Sequence, residues 1–317
     1  MGGFSMVDRI QGPIFVKEDN QSSEQLALLQ QLLAVASAAT CEKIRADIRS
    51  LQAGIYGEDT IAFELKNSHI PMLILHDLYL VHNDLSAQID YLILTHKHIY
   101  LLECKNLYGN IEINNRGDFI RTVSHGGRTV KEGIYSPITQ NKRHLELLHG
   151  LRKEQKGNFL TKFLFDRSFS EMYRSIVVLA NPKTVLNTRF AKKEIKNQVI
   201  RADQLNEYIK KTDDSSTSEF SDQLLWELAH FFLEAHQENP VDYAKKYAIS
   251  TPEPQELSPV PMPQEAPPDP VQAEPDLICP KCGAPMVKRT AKKGPRAGKP
   301  FYGCSRYPDC RFIVNVE

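Results

Sequence analysis

Residues 88–105 read QIDYLILTHKHIYLLECK, and the way this stretch pairs with itself decides the fold. Two runs, 88–94 and 99–105, flank a polar centre at His96 and Lys97. A hairpin about that centre sets the register by counting. Asp90 stands six residues before His96 and Glu103 six after Lys97, so they face each other, and Gln88 faces Lys105 on the same side. The remaining positions (Ile89, Tyr91, Leu92, Ile93, Tyr100, Leu101, Leu102) are apolar on both faces, the pattern of strands buried on both sides. Such strands belong to an α/β core.

Two carboxylates opposed in a buried sheet repel, and each is costly there alone. A divalent cation between them removes the difficulty, and hard oxygen ligands with room for water and phosphate suit magnesium. Lys105 beside them suits holding a scissile phosphate or steering the attacking water, an arrangement that cleaves phosphodiesters. From spacing alone a second reading stands equally: a partly exposed strand edge with an ordinary Glu–Lys pair.

Outward from the hairpin, residues 72–80 alternate as a further strand. Residues 21–53 carry Leu26, Leu29, Leu32, Leu33, Ala36, Ile44, Ile48 and Leu51 at helical spacing, with N-cap candidates at Asn20, Ser22 and Ser23. Gly54 and Gly57 punctuate this arm, and residues 58–66 form another helix. The leucines of the arm are expected to pack on the core. Residues 110–113 and 119–123 form a hairpin about Asn114-Asn115-Arg116-Gly117. Ser136-Pro137 opens a helix to about Leu151. Strands follow at 174–180 and 199–201, a helix from about Asp203, and an amphipathic helix over 221–236. Asp77 is open to two readings, a further metal-side acid or a strand-end cap. His76, His96 and His98 read as turn and surface residues. Arg121, Arg128 and Lys131 surround Gly126-Gly127, where backbone contacts with DNA and a solvated hairpin are equal readings.

The chain has 317 residues, 25 % of them charged, with formal net charge zero, so total charge identifies no partner. The distribution is uneven. Nine of the nineteen prolines lie in residues 252–275, with acids and no Lys or Arg between them, as in an extended tether. Beyond it the balance turns basic. No secretory leader pattern is visible at the start, and no apolar run is long enough to span a bilayer, so the expected location is cytoplasmic. Four of the six cysteines crowd into the tail, which in a cytosolic chain points to metal rather than disulfides.

These four are Cys279 and Cys282, then twenty-one residues, then Cys304, five residues, and Cys310. Two close thiolate pairs fit tetrahedral zinc, Zn2+, whose binding supplies the folding energy of so short a segment. Between and after the pairs stand Lys288, Arg289, Lys292, Lys293, Arg296 and Lys299, then Phe301 and Tyr302. Cations for phosphates beside aromatic faces for bases suit single-stranded nucleic acid. A purely structural ribbon with solvated lysines, or one that binds protein, are the alternatives. Cys279-Pro-Lys-Cys282-Gly283, Phe301-Tyr302-Gly303-Cys304-Ser305 and Tyr307-Pro308-Asp309-Cys310 resemble the C4 zinc fingers at the C-terminus of bacterial type IA DNA topoisomerases. Nothing in the first 250 or so residues resembles the strand-cutting domains of those enzymes.

Asp90 followed by Glu103-Cys104-Lys105 resembles the D…(D/E)xK core of PD-(D/E)xK nucleases. The wider run is similar to the NERD (nuclease-related) domain: Gly57-Glu58, Gln88-Ile89-Asp90, Glu103-Cys104-Lys105-Asn106 with Gly109, and Ser136-Pro137 with Gln140 and His144. The resemblance covers about residues 54–181. It implies a restriction-endonuclease-like α/β core, a mixed sheet flanked by helices. It also implies a DNA nuclease using Mg2+ or Mn2+: Asp90 and Glu103 as metal ligands, Lys105 at the phosphate, Glu58 as an additional acid and Gln140 as a positioning residue. The carbonyl of Cys104 completes the metal shell in that reading, while its thiol faces the opposite side and belongs to the core. The expected organisation is a helical arm (1–53), a nuclease-like domain with a helical extension (54–248), a Pro/Glu-rich linker (249–276) and a zinc ribbon (277–317). A DNA-binding adaptor that keeps the nuclease fold without cutting is the alternative.

Overall fold

In a computed structural model of the protein, which describes residues 9–217, 219–247, 286–290, 300–304 and 310–315, the 85–105 hairpin lies in the middle of a six-stranded sheet. The chain divides into two units, Met1–Glu253 and Pro254–Glu317.

The first unit runs β1 (Pro13–Lys17), α1 (Ser22–Val35), α2 (Ala38–Lys66), β2 (Met72–His82), β3 (Leu85–Thr95), β4 (Ile99–Lys105), β5 (Asn110–Ile113), β6 (Phe119–His125) and β7 (Arg128–Ile134). It continues with α3 (Pro137–Glu154), α4 (Phe159–Met172), β8 (Tyr173–Leu179), β9 (Leu186–Asn187), α5 (Lys193–Lys196), β10 (Val199–Arg201), α6 (Leu205–Asp214), α7 (Asp222–Ala235) and α8 (Tyr243–Lys246). The main sheet has the order β1-β2-β3-β4-β8-β10. β2, β3 and β4 are antiparallel neighbours; β1 is parallel to β2, and β4, β8 and β10 are parallel to one another. The sheet is mixed and helices flank it. Ile61 and Leu65 of α2 and Ile209 of α6 pack on Tyr91, Tyr100 and Leu102 from one side. Leu147 and Leu148 of α3 and Leu225 and Phe232 of α7 pack on Leu73, Leu92 and Leu101 from the other. A smaller sheet, β7-β6-β5-β9, leans Ile111, Ile113 and Phe119 on Val177 and Leu179.

Several local expectations are corrected. The helix read as ending near Ala53 does not break there: α2 runs unbroken through Gly54 and Gly57. The arm's leucines do not reach the sheet. Leu29 and Leu32 form a separate cluster with Ile44 of α2 and Tyr243 and Tyr247 near α8. The strands β1 and β7 and the helix α4 lie outside the sequence reading. His76 and His98 are buried rather than superficial. His98 pairs with Asp213 at 2.9 Å, and His96 with Asp222 at 2.6 Å.

The C-terminal part of this unit is bonded back across the hairpin. Asp222 accepts from the Ile10 amide as well as pairing with His96. The His236 ring takes the Tyr79 amide at 3.0 Å, and Asn239 bonds both Gln21 and Gln88.

In the second unit, β11 (Met286–Thr290), β12 (Pro300–Cys304) and β13 (Ile313–Asn315) form an antiparallel sheet. Cys304 and Cys310 are buried together with Met286 and Phe312 against them. Cys279, Cys282, Lys292, Lys293, Arg296 and Lys299 lie outside the described residues.

Candidate active site

The predicted register is the observed one. Leu94 pairs with Ile99, Ile93 with Tyr100, Leu92 with Leu101 and Tyr91 with Leu102. The next step along would set Asp90 against Glu103, and there the ladder gives way to a side chain: the Cys104 amide donates to Asp90 Oδ2 at 2.6 Å. β4 keeps its other neighbour throughout, with Glu103, Cys104 and Lys105 paired to Val177, Val178 and Leu179 of β8. One edge of β4 is therefore rigid while the other opens onto Asp90.

A second irregularity lies beside it. Asp77 of β2 has φ +54, a left-handed conformation that Asp tolerates better than most residues. Inward alternation changes phase there and at Asp90. Leu73 and Leu75 face the α3–α7 layer before it, and Leu78 and Leu80 after it, with Leu92 and Leu94 against Ile89 and Ala87 on β3. Asp77 accepts from the Gln21 amide at the start of α1 (3.0 Å) and from Gln88 Nε2 (2.7 Å). It thus ties a helix start and a strand to the kink, and it is mid-strand rather than at a strand end. Gln88 is taken up by Asp77 and Asn239 rather than by Lys105.

Glu103 is the most enclosed acid of the group, 2 % exposed. Its Oε1 pairs with Lys105 Nζ at 2.6 Å, while Oε2 is buried with no hydrogen-bond partner. Facing Oε2 at 3.7 Å is His144 Nδ1, also buried and unpartnered. Gln140, one helical turn earlier on α3, lies at the same carboxylate. α3 is seated by Ser136, which caps it through the Thr139 amide, and by the buried Asn141, whose amide donates to Leu101 O and Ile176 O on two adjacent strands.

Burial, then the charges of Glu103 and Glu58, hold the Asp90 carboxyl well above its ordinary range. Burial likewise raises Glu103, with Lys105 and Gln140 opposing and Glu58 adding to it. Lys105 is partly desolvated, but the charge of Glu103 and the bond to it, with Asp90 behind, keep its pKa above the ordinary value and the ammonium charged. Burial and the nearby Lys105 charge depress His144 to about 4, so its ring is neutral near pH 7.

Glu58 reaches the site by field rather than contact. Its Oε2 bonds His76 Nε2 at 3.0 Å, and its carbonyl takes the Tyr91 hydroxyl. His76 stacks on Tyr91. Burial works against the charged ring of His76, but the Glu58 and Glu18 bonds and the charges of Glu58 and Asp77 outweigh it and raise its pKa. Gly57 lets α2 approach: a Cβ there would stand 2.9 Å from Asn106 Cβ and 3.0 Å from Cys104 Sγ. The Cys104 thiol thus lies on the α2 side, opposite Glu103, as its parity implies.

The structure therefore brings Asp90, Glu103, Lys105 and Gln140 together, while the Glu58 carboxylate is held by His76 instead. The sequence reading gave His144 no role. Its spacing of four from Gln140 on one helix was the available signal. Among the described residues no three His, Cys, Asp or Glu side chains gather closely enough to hold a metal ion by themselves. A buried carboxylate oxygen without a partner, beside a second raised carboxyl, nonetheless suits a divalent cation that also takes main-chain and water oxygens.

In the ribbon, Lys288 stands opposite Tyr302 and Arg289 opposite Phe301 in the register. Arg289, Phe301, Gly303, Phe312 and Ile313 line a hollow of about 300 Å³, with Arg289 and Ile313 exposed.

Residues 53–180 match the family model of the nuclease-related domain, NERD, and residues 276–317 match that of the topoisomerase DNA-binding C4 zinc finger. Neither curated proteins nor solved structures give a match. The chain therefore carries a nuclease-related domain and a C4 ribbon of the topoisomerase type, which implies structural zinc. No helix among the described residues is long and apolar enough to cross a membrane.

Proposed function

We propose, from a chain that joins a nuclease-related domain to a C4 zinc ribbon, that the protein is a metal-dependent DNA nuclease whose ribbon holds nucleic acid near the cutting domain. The observation that carries this reading is the unpartnered, buried Oε2 of Glu103 beside the raised carboxyl of Asp90. Both acids resist ionising in the bare fold. A cation would relieve both, and the donors are hard oxygens: Asp90, Glu103 and the Cys104 carbonyl, a set for Mg2+ or Mn2+. When bound, such an ion supplies charge stabilisation at the phosphate and a more acidic water.

The chain's own residues do the rest. Lys105, kept cationic by Glu103, grips a non-bridging phosphate oxygen and favours the added negative charge of the transition state. It is an electrostatic partner of the phosphate, not a proton acceptor. Gln140 fixes the Glu103 carboxylate, and Glu58, held by His76, adds negative field and props α2 against the site. His144, neutral, closes the inner wall. The Pro-rich tether raises the local concentration of ribbon-bound DNA at this centre. The cytoplasm, where Cys279, Cys282, Cys304 and Cys310 stay reduced and free to bind Zn2+, is the fitting compartment.

A second reading, a DNA-binding adaptor without turnover, draws on Glu58, which is engaged by His76 and leaves only two acids at the centre. Cleavage of linear, nicked and single-stranded DNA with Mg2+ or Mn2+ separates the two. Cutting by the native chain, lost in Glu103→Ala and Lys105→Ala, is the expected result. Cleavage by none, or equally by all three, removes the nuclease reading.

A further inference from the structure

We propose that the β6–β7 hairpin is an arm that enters the major groove of duplex DNA tip first; this rests on the reading of the domain as one that acts on DNA. The hairpin is paired without a break from Phe119–Ile134 to His125–Arg128. Its tip is Gly126-Gly127, with φ +56 and +78, the pair of left-handed residues that a tight two-residue turn requires. A Cβ added at either glycine would meet nothing within 4 Å, and the same holds at Gly133. The tip therefore stands clear of the rest of the described protein. From Arg128 to Gly133 every residue of β7 is exposed, Val130 by 58 %. The base is anchored, since Phe119 is buried against Ile111 and Ile113.

Dimensions fit one occupant. The outer rows, from Thr122–Lys131 to His125–Arg128, extend roughly 10 Å at ~3.4 Å per residue. The major groove of B-form DNA is ~8.5 Å deep and ~12 Å wide and admits a two-stranded ribbon. A sheet layer with its side chains is ~10 Å thick, so a ribbon entering tip first spans the groove and turns a face to each wall. The charges follow that geometry. Arg121 is neutralised by Glu132 across the ladder, whereas Arg128 and Lys131 have no ion-pair partner among the described residues. By register they lie on opposite faces: Arg128 with Val123 and Val130, Lys131 with Thr122, Ser124 and Thr129. Each face thus offers one cation to one phosphate wall, and Ser124 and Thr129, hydrogen-bonded to each other at 2.9 Å, add hydroxyls on the Lys131 face.

The arm is placed to act with the site. The segment β5–β7 is inserted between Lys105, which ends β4, and Gln140, one turn into α3. A concavity of about 670 Å³ lies at its root, lined by Arg116, Ile120, Tyr135 and Thr139 among others. The deep, narrow groove of A-form duplex excludes such a ribbon, and a single strand offers no pair of walls.

Fluorescence anisotropy with the full zinc-loaded chain tests this on a DNA duplex, an RNA duplex and a single-stranded DNA of equal length. The variant carries Arg128→Gln and Lys131→Gln, both on exposed positions of the hairpin. Duplex DNA affinity is expected to fall at least tenfold at 0.1 M salt, with the slope of log affinity against log salt smaller by about 2. Single-stranded and RNA-duplex affinities should change less than threefold. A photoreactive benzophenone side chain at Val130 should crosslink to duplex DNA. Duplex affinity within twofold of native without a crosslink, or an equal loss on all three ligands, overturns the arm. Cleavage is not the readout: a chain that cuts but ignores these substitutions refutes the arm alone, a chain that shows the loss without cutting refutes the nuclease alone, and one that binds no nucleic acid refutes both.

Discussion

A carboxyl buried against another carboxyl favours its protonated form, and Asp90 is in that position. Its folded-state pKa is raised, so the stability it contributes is full below the ordinary carboxylate range near pH 4 and is lost as pH climbs through the folded value. Asp90→Asn removes that loss. Without added Mg2+ and with zinc retained, its melting temperature should equal the native one near pH 3, below the ordinary range, and exceed it at pH 7.5 by a few degrees, about 2–4 °C per kcal/mol. Added Mg2+ at pH 7.5 should raise the native chain and leave the variant unmoved. Calorimetric scans decide it, and an equal Mg2+ response in both proteins counts against a cation at Asp90. At this scale the sequence was informative where partners are near. Glu103 lies thirteen positions after Asp90, and counting about His96-Lys97 aligned them. It failed at His76 and His98, whose partners Glu58 and Asp213 lie 18 and 115 residues away. A histidine within or beside a strand carries no mark of a distant acid.

Helix α2 contains a paired control. Gly54 and Gly57 both sit inside it, and both look like helix breakers in the sequence. An added Cβ meets nothing at Gly54 but meets Asn106 Cβ and Cys104 Sγ at Gly57. Gly54→Ala should stabilise by up to about 1 kcal/mol through helix propensity. Gly57→Ala should destabilise by about 1–3 kcal/mol, because atoms this close to the backbone cannot yield and the helix must move off β4. Urea titrations of both variants test the contrast, and two changes of the same sign would refute it. α3 gives a second test. Asn141→Ala strips two buried strand carbonyls, Leu101 and Ile176, of a donor and should cost about 1–3 kcal/mol. A loss under 0.5 kcal/mol in the same titration would show that water replaces the amide. The elements that escaped the sequence have physical reasons for it. β7 is exposed along nearly its whole length and shows no inward alternation. α4 leaves Phe159, Leu160, Phe163 and Leu164 exposed, so its apolar residues do not mark one buried stripe. β1 is a short strand parallel to β2, with no turn linking the two to advertise the pairing.

As a whole, the molecule is two units, one closed by a long-range sheet and one too small to fold on apolar burial alone. Unit one should melt at the same temperature in the native chain and in a chain ending at Glu253, as followed by circular dichroism. That truncation also removes Lys288, Arg289, Lys292, Lys293, Arg296 and Lys299. The salt dependence of single-stranded DNA binding should flatten by about 0.7 for each phosphate that the ribbon neutralises in the native chain. An unchanged slope would mean that the ribbon grips something other than DNA. The chain order has a further consequence, in time rather than space. The hairpin with Asp90, Glu103 and Lys105 is made early, yet β8 beside β4 comes later, and the bonds of His236 and Asn239 back to Tyr79, Gln21 and Gln88 come later still. At ~5–20 residues per second, synthesis of the stretch between Lys105 and Asn239 takes on the order of 10 s. The surroundings of Asp90 and Glu103 are therefore complete only after β8 and the segment that follows α7 have been made, well after the hairpin itself.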